Sequence, residues 1–154
     1  MNGAITIGTF DGANIEILEE VGDDNFFLFG LRAEEVVEQR KDYRPWEIID
    51  SDPDLKNVIE LIKSGHFNQF EQGLFDSVLD SIYNPHDPWL TAADFRSFVD
   101  AQEEVSQAFK DDIMWTRMSI MNTACSGKFS TDRTMQDYNE QIWNLEPTKP
   151  YPES

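Results

Sequence analysis

Residues Gly8–Ile17, GTFDGANIEI, decide how this chain folds. The apolar run Ala4–Thr9 (AITIGT) leads into them, and a helix-like segment follows. A strand that ends in a glycine turn and opens a helix is an arrangement that receives phosphate groups, because the first helical amides are unpaired and carry partial positive charge. The spacing fails for both familiar phosphate loops. Gly8 and Gly12 are followed by Ala13 and Asn14, with no third glycine and no lysine. Asp11 places a carboxylate at the helix start, where it caps the helix and competes with a phosphate for the same amides. The stretch therefore reads as a capped turn between strand and helix.

Working outward, the first thirty residues read as a βαβ unit. Ala13–Val21 carries Ile15 and Leu18 in a helical pattern, Gly22–Asn25 (GDDN) is a turn, and Phe26–Phe29 (FFLF) is a continuous apolar run of strand length. Such a run suits a parallel strand buried on both faces. Two parallel strands rarely make a sheet alone. The remainder offers helices but no further convincing strand, so the chain is expected to be the end of a larger α/β domain.

The rest of the chain reads as helical. Asp52 and Pro53 form an N-cap and first helical residue, with Leu55, Val58, Ile59 and Ile62 on one face and Gly65 as the stop. Phe70, Leu74, Phe75, Val78, Leu79 and Ile82 form a second apolar stripe. Tyr83–Trp89 (YNPHDPW) is a proline turn. Asp94–Phe109 and Ile113–Ala124 read as two helices split at Asp111 and Asp112, with Gly127 as a C-terminal stop. Thr134 with Asp137 reads as a capping box for a last helix bearing Met135, Tyr138 and Ile142. Residues 146–154 read as an exposed tail.

The composition narrows the partners. Thirty acids against twelve bases give a net charge of −18, which favours solubility and repels nucleic acid and anionic membrane surfaces. The acids are scattered along helix faces, the pattern of a solvated surface. The single cysteine, Cys125, excludes an internal disulfide and fits a reducing compartment. Its small and apolar neighbours mark it as a buried structural thiol rather than a nucleophile. No leader and no long apolar span is visible, so the chain reads as cytoplasmic or of another soluble reducing compartment.

No complete catalytic constellation emerges. Asp50–Asp54 (DSDPD) imitates a calcium loop, but Leu55 stands where that loop needs glycine and Leu61 where it needs a bidentate acid. His66 and His86 lack partners at zinc-ligand spacing. No G-x-S-x-G elbow occurs, and no carboxylate pair for glycoside chemistry can be singled out. Ser126–Thr134 (SGKFSTDRT) holds Lys128 and Arg133, which could bind an anion or offset the dipole of the preceding helix.

Three stretches together carry a resemblance. Asn2–Gly30 (NGAITIGTFDGANIEILEEVGDDNFFLFG) resembles the segment of the α-glucan phosphorylases, the glycogen, starch and maltodextrin enzymes, that follows their cofactor lysine. Trp115–Trp143 (WTRMSIMNTACSGKFSTDRTMQDYNEQIW) is similar to their near-C-terminal part, and Gly30–Ile49 (GLRAEEVVEQRKDYRPWEII) matches in length and character. The resemblance implies an α/β fold: the C-terminal part of a two-domain, GT-B-like glycosyltransferase. Residues 1–30 would be the βαβ remnant of its nucleotide-fold-like domain and residues 31–145 the helical remainder.

The same resemblance implies a reaction, the reversible and retaining phosphorolysis of terminal α-1,4-linked glucose to glucose 1-phosphate. It implies pyridoxal phosphate as cofactor, on a lysine upstream of Met1 and so not held covalently by this chain. Glucan, phosphate, the missing N-terminal portion and a homodimeric partner are the implied associates. None of the family's catalytic or covalent cofactor residues maps here, and the isolated chain is expected to be inactive. Gly8, Thr9, Asp11, Gly12 and Asn14 match the family's turn near the cofactor, in a supporting role. The alternative is a stand-alone acidic interaction module that pairs through an open sheet edge.

Overall fold

A computed structural model describes residues 1–146 and 148. Strand β1 (Ile7–Gly8), helix α1 (Ala13–Val21) and strand β2 (Phe27–Leu28) form the βαβ unit, and the strands pair in parallel with Ile7 opposite Phe27 and Gly8 opposite Leu28. The ladder is shorter than the apolar runs around it. Phe27 N donates to Thr6 O at 3.0 Å and Phe29 N to Gly8 O at 3.1 Å. Beyond those bonds β1 runs into the glycine turn, and the chain leaving β2 turns at Gly30, whose φ is 81°. Among the described residues no third strand joins the pair. Burial on both faces is not met within this chain: Phe27 is buried, but Leu28 is 36% exposed.

Helices follow: α2 (Ala33–Gln39), α3 (Pro45–Ser51), α4 (Pro53–Lys63), α5 (Asp76–Tyr83), α6 (Thr91–Ala108), α7 (Asp112–Ala124) and α8 (Thr131–Tyr138). The described residues are thus mostly helical around a small parallel sheet, an α/β arrangement. Their starts follow local chemistry. Asp52 Oδ1 accepts from the Asp54 and Leu55 amides at 3.0 and 3.1 Å to open α4. Asp111 Oδ1 does the same for Ile113 and Met114 to open α7, at 3.1 and 2.9 Å. Leu90 precedes α6 with φ 51°, a left-handed conformation rare for leucine. Its side chain is 0% exposed, in the cluster with Tyr43, Ile49, Leu55, Ile59 and Ala92, so burial outweighs the backbone cost.

Two smaller clusters complete the core. Leu18, Val21 and Phe26 pack with half-buried Cys125 beneath α1, and Phe27, Ala108 and Met118 pack with Ile5, Ile7 and Trp115 beneath the strands. The Cys125 thiol is therefore partly covered rather than fully enclosed.

Three expectations are corrected. The stripe from Phe70 to Ile82 becomes helical only at Asp76. Gly65, Gln69, Phe70 and Gly73 all have positive φ, so the chain turns repeatedly, and Phe70 is 80% exposed. The last helix starts at Thr131, capped by Ser130 Oγ, which accepts from Arg133 N at 3.3 Å. Thr134 and Asp137 lie inside that helix, and Asp137 pairs with Arg133. Gly127 lies in a 3₁₀ turn (Cys125–Phe129) without a left-handed φ, so it is not a left-handed stop. Glu146 and Thr148 are exposed, and the rest of the 146–154 tail lies outside the described residues.

Candidate glycine-turn site

The two glycines of the turn are needed for different reasons. Gly12 has φ 52° and ψ −136°, a backbone state that side chains exclude. Gly8 is buried, and a Cβ built on it would stand 2.6 Å from Asn14 Nδ2. Asn14 occupies that space to donate from Nδ2 to Thr9 O at 3.1 Å, which ties the first helical turn back to the end of β1. The Asp11 amide donates to Thr9 O at 2.9 Å and the Asn14 amide to Asp11 O at 3.2 Å. Thr9, Asp11, Gly12 and Asn14 thus close the turn around themselves.

Asp11 does not cap α1 as expected. Its Oδ1 accepts from the adjacent Gly12 amide at 2.8 Å, Gly12 occupies the N-cap position, and no side chain caps the helix. The carboxylate thus engages the N-cap amide itself and accepts from no amide of the first helical turn.

The turn borders an open, mainly apolar cleft of about 600 Å³, lined by Thr9, Phe10, Phe29, Leu31, Asp94 and Phe98 among others. The Arg32 guanidinium lies 4.4 Å from the Phe10 ring centroid, a cation–π contact at its edge. Phe29 and Phe98 meet edge to face with centroids 5.1 Å apart. Asp94 joins the cleft wall to the sheet: Leu31 N donates to its Oδ1 at 3.0 Å, and Gly30 N donates to Ser97 Oγ at 3.0 Å. A Cβ at Gly30 would lie 2.9 Å from Thr9 Cγ2 and 3.0 Å from Asp94 Oδ2, so this glycine lets the turn and α6 touch. Burial pushes the Asp94 carboxyl above its ordinary value, with the Leu31 amide opposing. Sequence reasoning passed over Asp94 because an acid near a helix start reads as a cap.

The other candidates are committed elsewhere. Lys128 Nζ pairs with Glu20 Oε1 at 3.0 Å, which raises its pKa. Arg133 binds Asp137 and Lys128 O. The two cations therefore serve internal partners rather than a shared anion pocket. Asp50 pairs with Lys56 at 3.0 Å, while Asp52 and Asp54 hold Arg96 at 2.6 and 2.8 Å. Among the described residues no group of three or more His, Cys, Asp or Glu converges as a metal site. His66 packs edge to face against Phe67, and His86 is exposed. No helix among them is long and apolar enough to cross a membrane.

Comparison with known proteins matches this arrangement to one family. The family model for carbohydrate phosphorylase covers residues 1–145. Glycogen phosphorylase of Synechocystis sp. is 51% identical over 96% of this chain and 17% of its own length. The chloroplastic/amyloplastic alpha-1,4 glucan phosphorylase L isozyme of Vicia faba is 46% identical, over 97% of this chain and 15% of its own. The muscle form of glycogen phosphorylase from Homo sapiens is 43% identical, over 97% and 18%. The chain spans less than a fifth of the length of these curated relatives. The alternative of an acidic interaction module draws no support from them. With a matched family model across nearly all of its length and relatives of one kind, the chain belongs to the carbohydrate phosphorylase family.

Proposed function

We propose that this chain serves as the C-terminal portion of an α-1,4-glucan phosphorylase, a retaining glycosyltransferase that releases glucose 1-phosphate from glucan ends with phosphate. The family match across residues 1–145 carries this reading. Residues 1–30 supply the βαβ part of the GT-B-like enzyme's second, nucleotide-fold-like domain, and residues 31–145 its helical remainder. Gly8, Thr9, Asp11, Gly12 and Asn14 shape the strand-to-helix turn that borders the cofactor region.

Pyridoxal phosphate, the cofactor this reading implies, does not fit the turn itself. The Gly12 amide already donates to Asp11, Glu16 adds a second acid in the first turn of α1, and residues 8–14 contain no lysine or arginine. A phosphate placed there would meet carboxylates rather than cations. The turn is therefore assigned no part in holding the cofactor, covalent attachment is assigned to a lysine outside this chain, and no chemical step is routed through these residues. Glucan, phosphate, the rest of the enzyme and a second copy in a homodimer are the proposed associates. The net charge of −18 argues against nucleic acid or an anionic membrane surface, and the single cysteine supports a soluble reducing compartment such as the cytoplasm.

The test compares the 154-residue chain alone with the same chain joined to the remainder of a phosphorylase polypeptide. Both are assayed for glucose 1-phosphate release from maltodextrin and phosphate. The joined protein is expected to be active and the isolated chain inactive. A joined protein that folds without activity overturns the reading, and turnover by the chain alone overturns the supporting role.

A further inference from the structure

We infer that α7 and the turn after it are the positioning element of the glycine-turn site, with Asn122 as the residue that sets its register; this rests on the functional reading above. The inner stripe of α7 is Trp115, Met118, Ser119 and Asn122, the spacing of one helical face. Met118, 3% exposed, packs in the cluster beneath Ile5, Ile7 and Phe27 and so supports β1 from below. Ser119 Oγ donates to Gly3 O at 2.8 Å, and Gly3 N donates to Asn122 Oδ1 at 3.0 Å. Both polar backbone groups of one residue are thus gripped by side chains from adjacent turns of one helix.

The grip is selective for its occupant. Gly3 has φ 93°, and a Cβ there would stand 2.9 Å from Ser119 Oγ. Asn122 is 1% exposed, and a carboxamide so enclosed is costly unless it is paired. The bond to Gly3 therefore favours one placement of the backbone that enters β1. Just past α7, Lys128 reaches Glu20 on α1, and Cys125 packs against Leu18, Val21 and Phe26. One C-terminal stretch holds the turn from both sides, at the entry to β1 and along the helix that leaves the turn. None of these residues lines the cleft.

The test uses the full phosphorylase polypeptide carrying this sequence. Asn122→Leu keeps the branched shape and the number of heavy atoms and removes the acceptor, Asn122→Asp keeps an acceptor, Ser119→Ala removes the second bond, and Ile120→Ala alters the opposite face, where Ile120 is 61% exposed. Amide hydrogen exchange across residues 3–9 reads the clamp, and kcat and KM for phosphorolysis read the site. Asn122→Leu is expected to speed exchange in residues 3–9 on the order of tenfold, the factor that loss of about one net hydrogen bond gives, and to lower kcat more than it raises KM. Ser119→Ala should produce a smaller change of the same kind, Asn122→Asp should retain most of the protection, and Ile120→Ala should leave both readouts unchanged. If Asn122→Leu does not fold, Ser119→Ala and Asn122→Asp decide. Unchanged exchange, or equal loosening by Ile120→Ala, overturns the clamp. Faster exchange with unaltered kcat overturns its positioning role. Absence of turnover in the parent protein refutes the functional reading instead, and the exchange data still judge the clamp.

Discussion

Replacing Gly8 by alanine tests whether the turn is built around Asn14. The new Cβ would lie 2.6 Å from Asn14 Nδ2 and 3.0 Å from its Cγ. The carboxamide must retreat by roughly 1 Å to reach van der Waals distance. At 3.1 Å the bond from Nδ2 to Thr9 O does not survive that shift. Losing it costs about 1 kcal/mol, and forcing a methyl into filled space costs about 1–3 kcal/mol more. Alanine also restricts the unfolded chain, which returns about 0.4–1 kcal/mol. The net loss is therefore about 1–4 kcal/mol. The sharper test is a cycle. Asn14→Ala alone should cost about 1 kcal/mol, and in its background Gly8→Ala should cost almost nothing further, because the clashing group has gone. Urea unfolding of the four proteins, followed by tryptophan fluorescence, measures each term. Additive losses in the double variant, or a Gly8→Ala variant as stable as its parent, would refute the reasoning.

Asp52→Ala should cost about 1–2 kcal/mol through the lost cap of α4, whereas Arg96→Ala should cost less because the guanidinium itself faces solvent; melting temperatures separate the two. Leu90→Gly should destabilise in urea unfolding, by up to about 4 kcal/mol, since losing a fully enclosed leucine (about 2–5 kcal/mol) outweighs relief of a left-handed φ (about 1–2 kcal/mol). The Arg96 guanidinium holds the Asp52 carboxyl below its ordinary value. Burial alone would raise Asp87, but the Thr91 and Trp89 amides outweigh it and leave that carboxyl lowered too. Both contributions are present above the usual carboxylate range and vanish as pH falls through the depressed folded values, so Asp52→Asn and Asp87→Asn should flatten the acid limb of a melting-temperature profile. Asp94, raised by burial, has the opposite sign: its contribution is lost as pH rises from the ordinary value through the raised one. Asp94→Asn, which keeps an acceptor for Leu31 N, should gain relative to its parent on going from about pH 4 to about pH 7.

The elements that sequence reveals here are those settled within a few residues. Asp52 with Pro53 and the Asp111 break are local hydrogen-bonding choices, and both helix starts appear where those residues stand. The parallel pairing of the first thirty residues is also legible, since a helix between two apolar runs favours a crossover. The segment after Gly65 is not. Its apolar spacing suits a helix, but backbone choices at Gly65, Gln69, Phe70 and Gly73 prevail. The site divides in the same way. Gly8 and Gly12 stand out as glycines, yet only coordinates show that Gly12 answers a backbone angle and Gly8 answers Asn14. Asp94 and Asn122 draw their importance from residues far away in the chain, at Leu31 and Gly3, and leave no periodic trace.

The hold of α7 on Gly3 also bears on the order of folding. The contact joins residues 116 to 119 positions apart, so it can form only after α7 has been made. Synthesis at about 5–20 residues per second leaves the entry to β1 without its anchor for roughly 6–23 s after Gly3 emerges. The short crossover from β1 to β2 closes a far smaller loop and can form early. During that interval the glycine turn exists without a fixed approach. Maturation of the site thus awaits synthesis of α7, and a nascent chain stalled before α7 would keep residues 3–9 without their anchor and open to proteases.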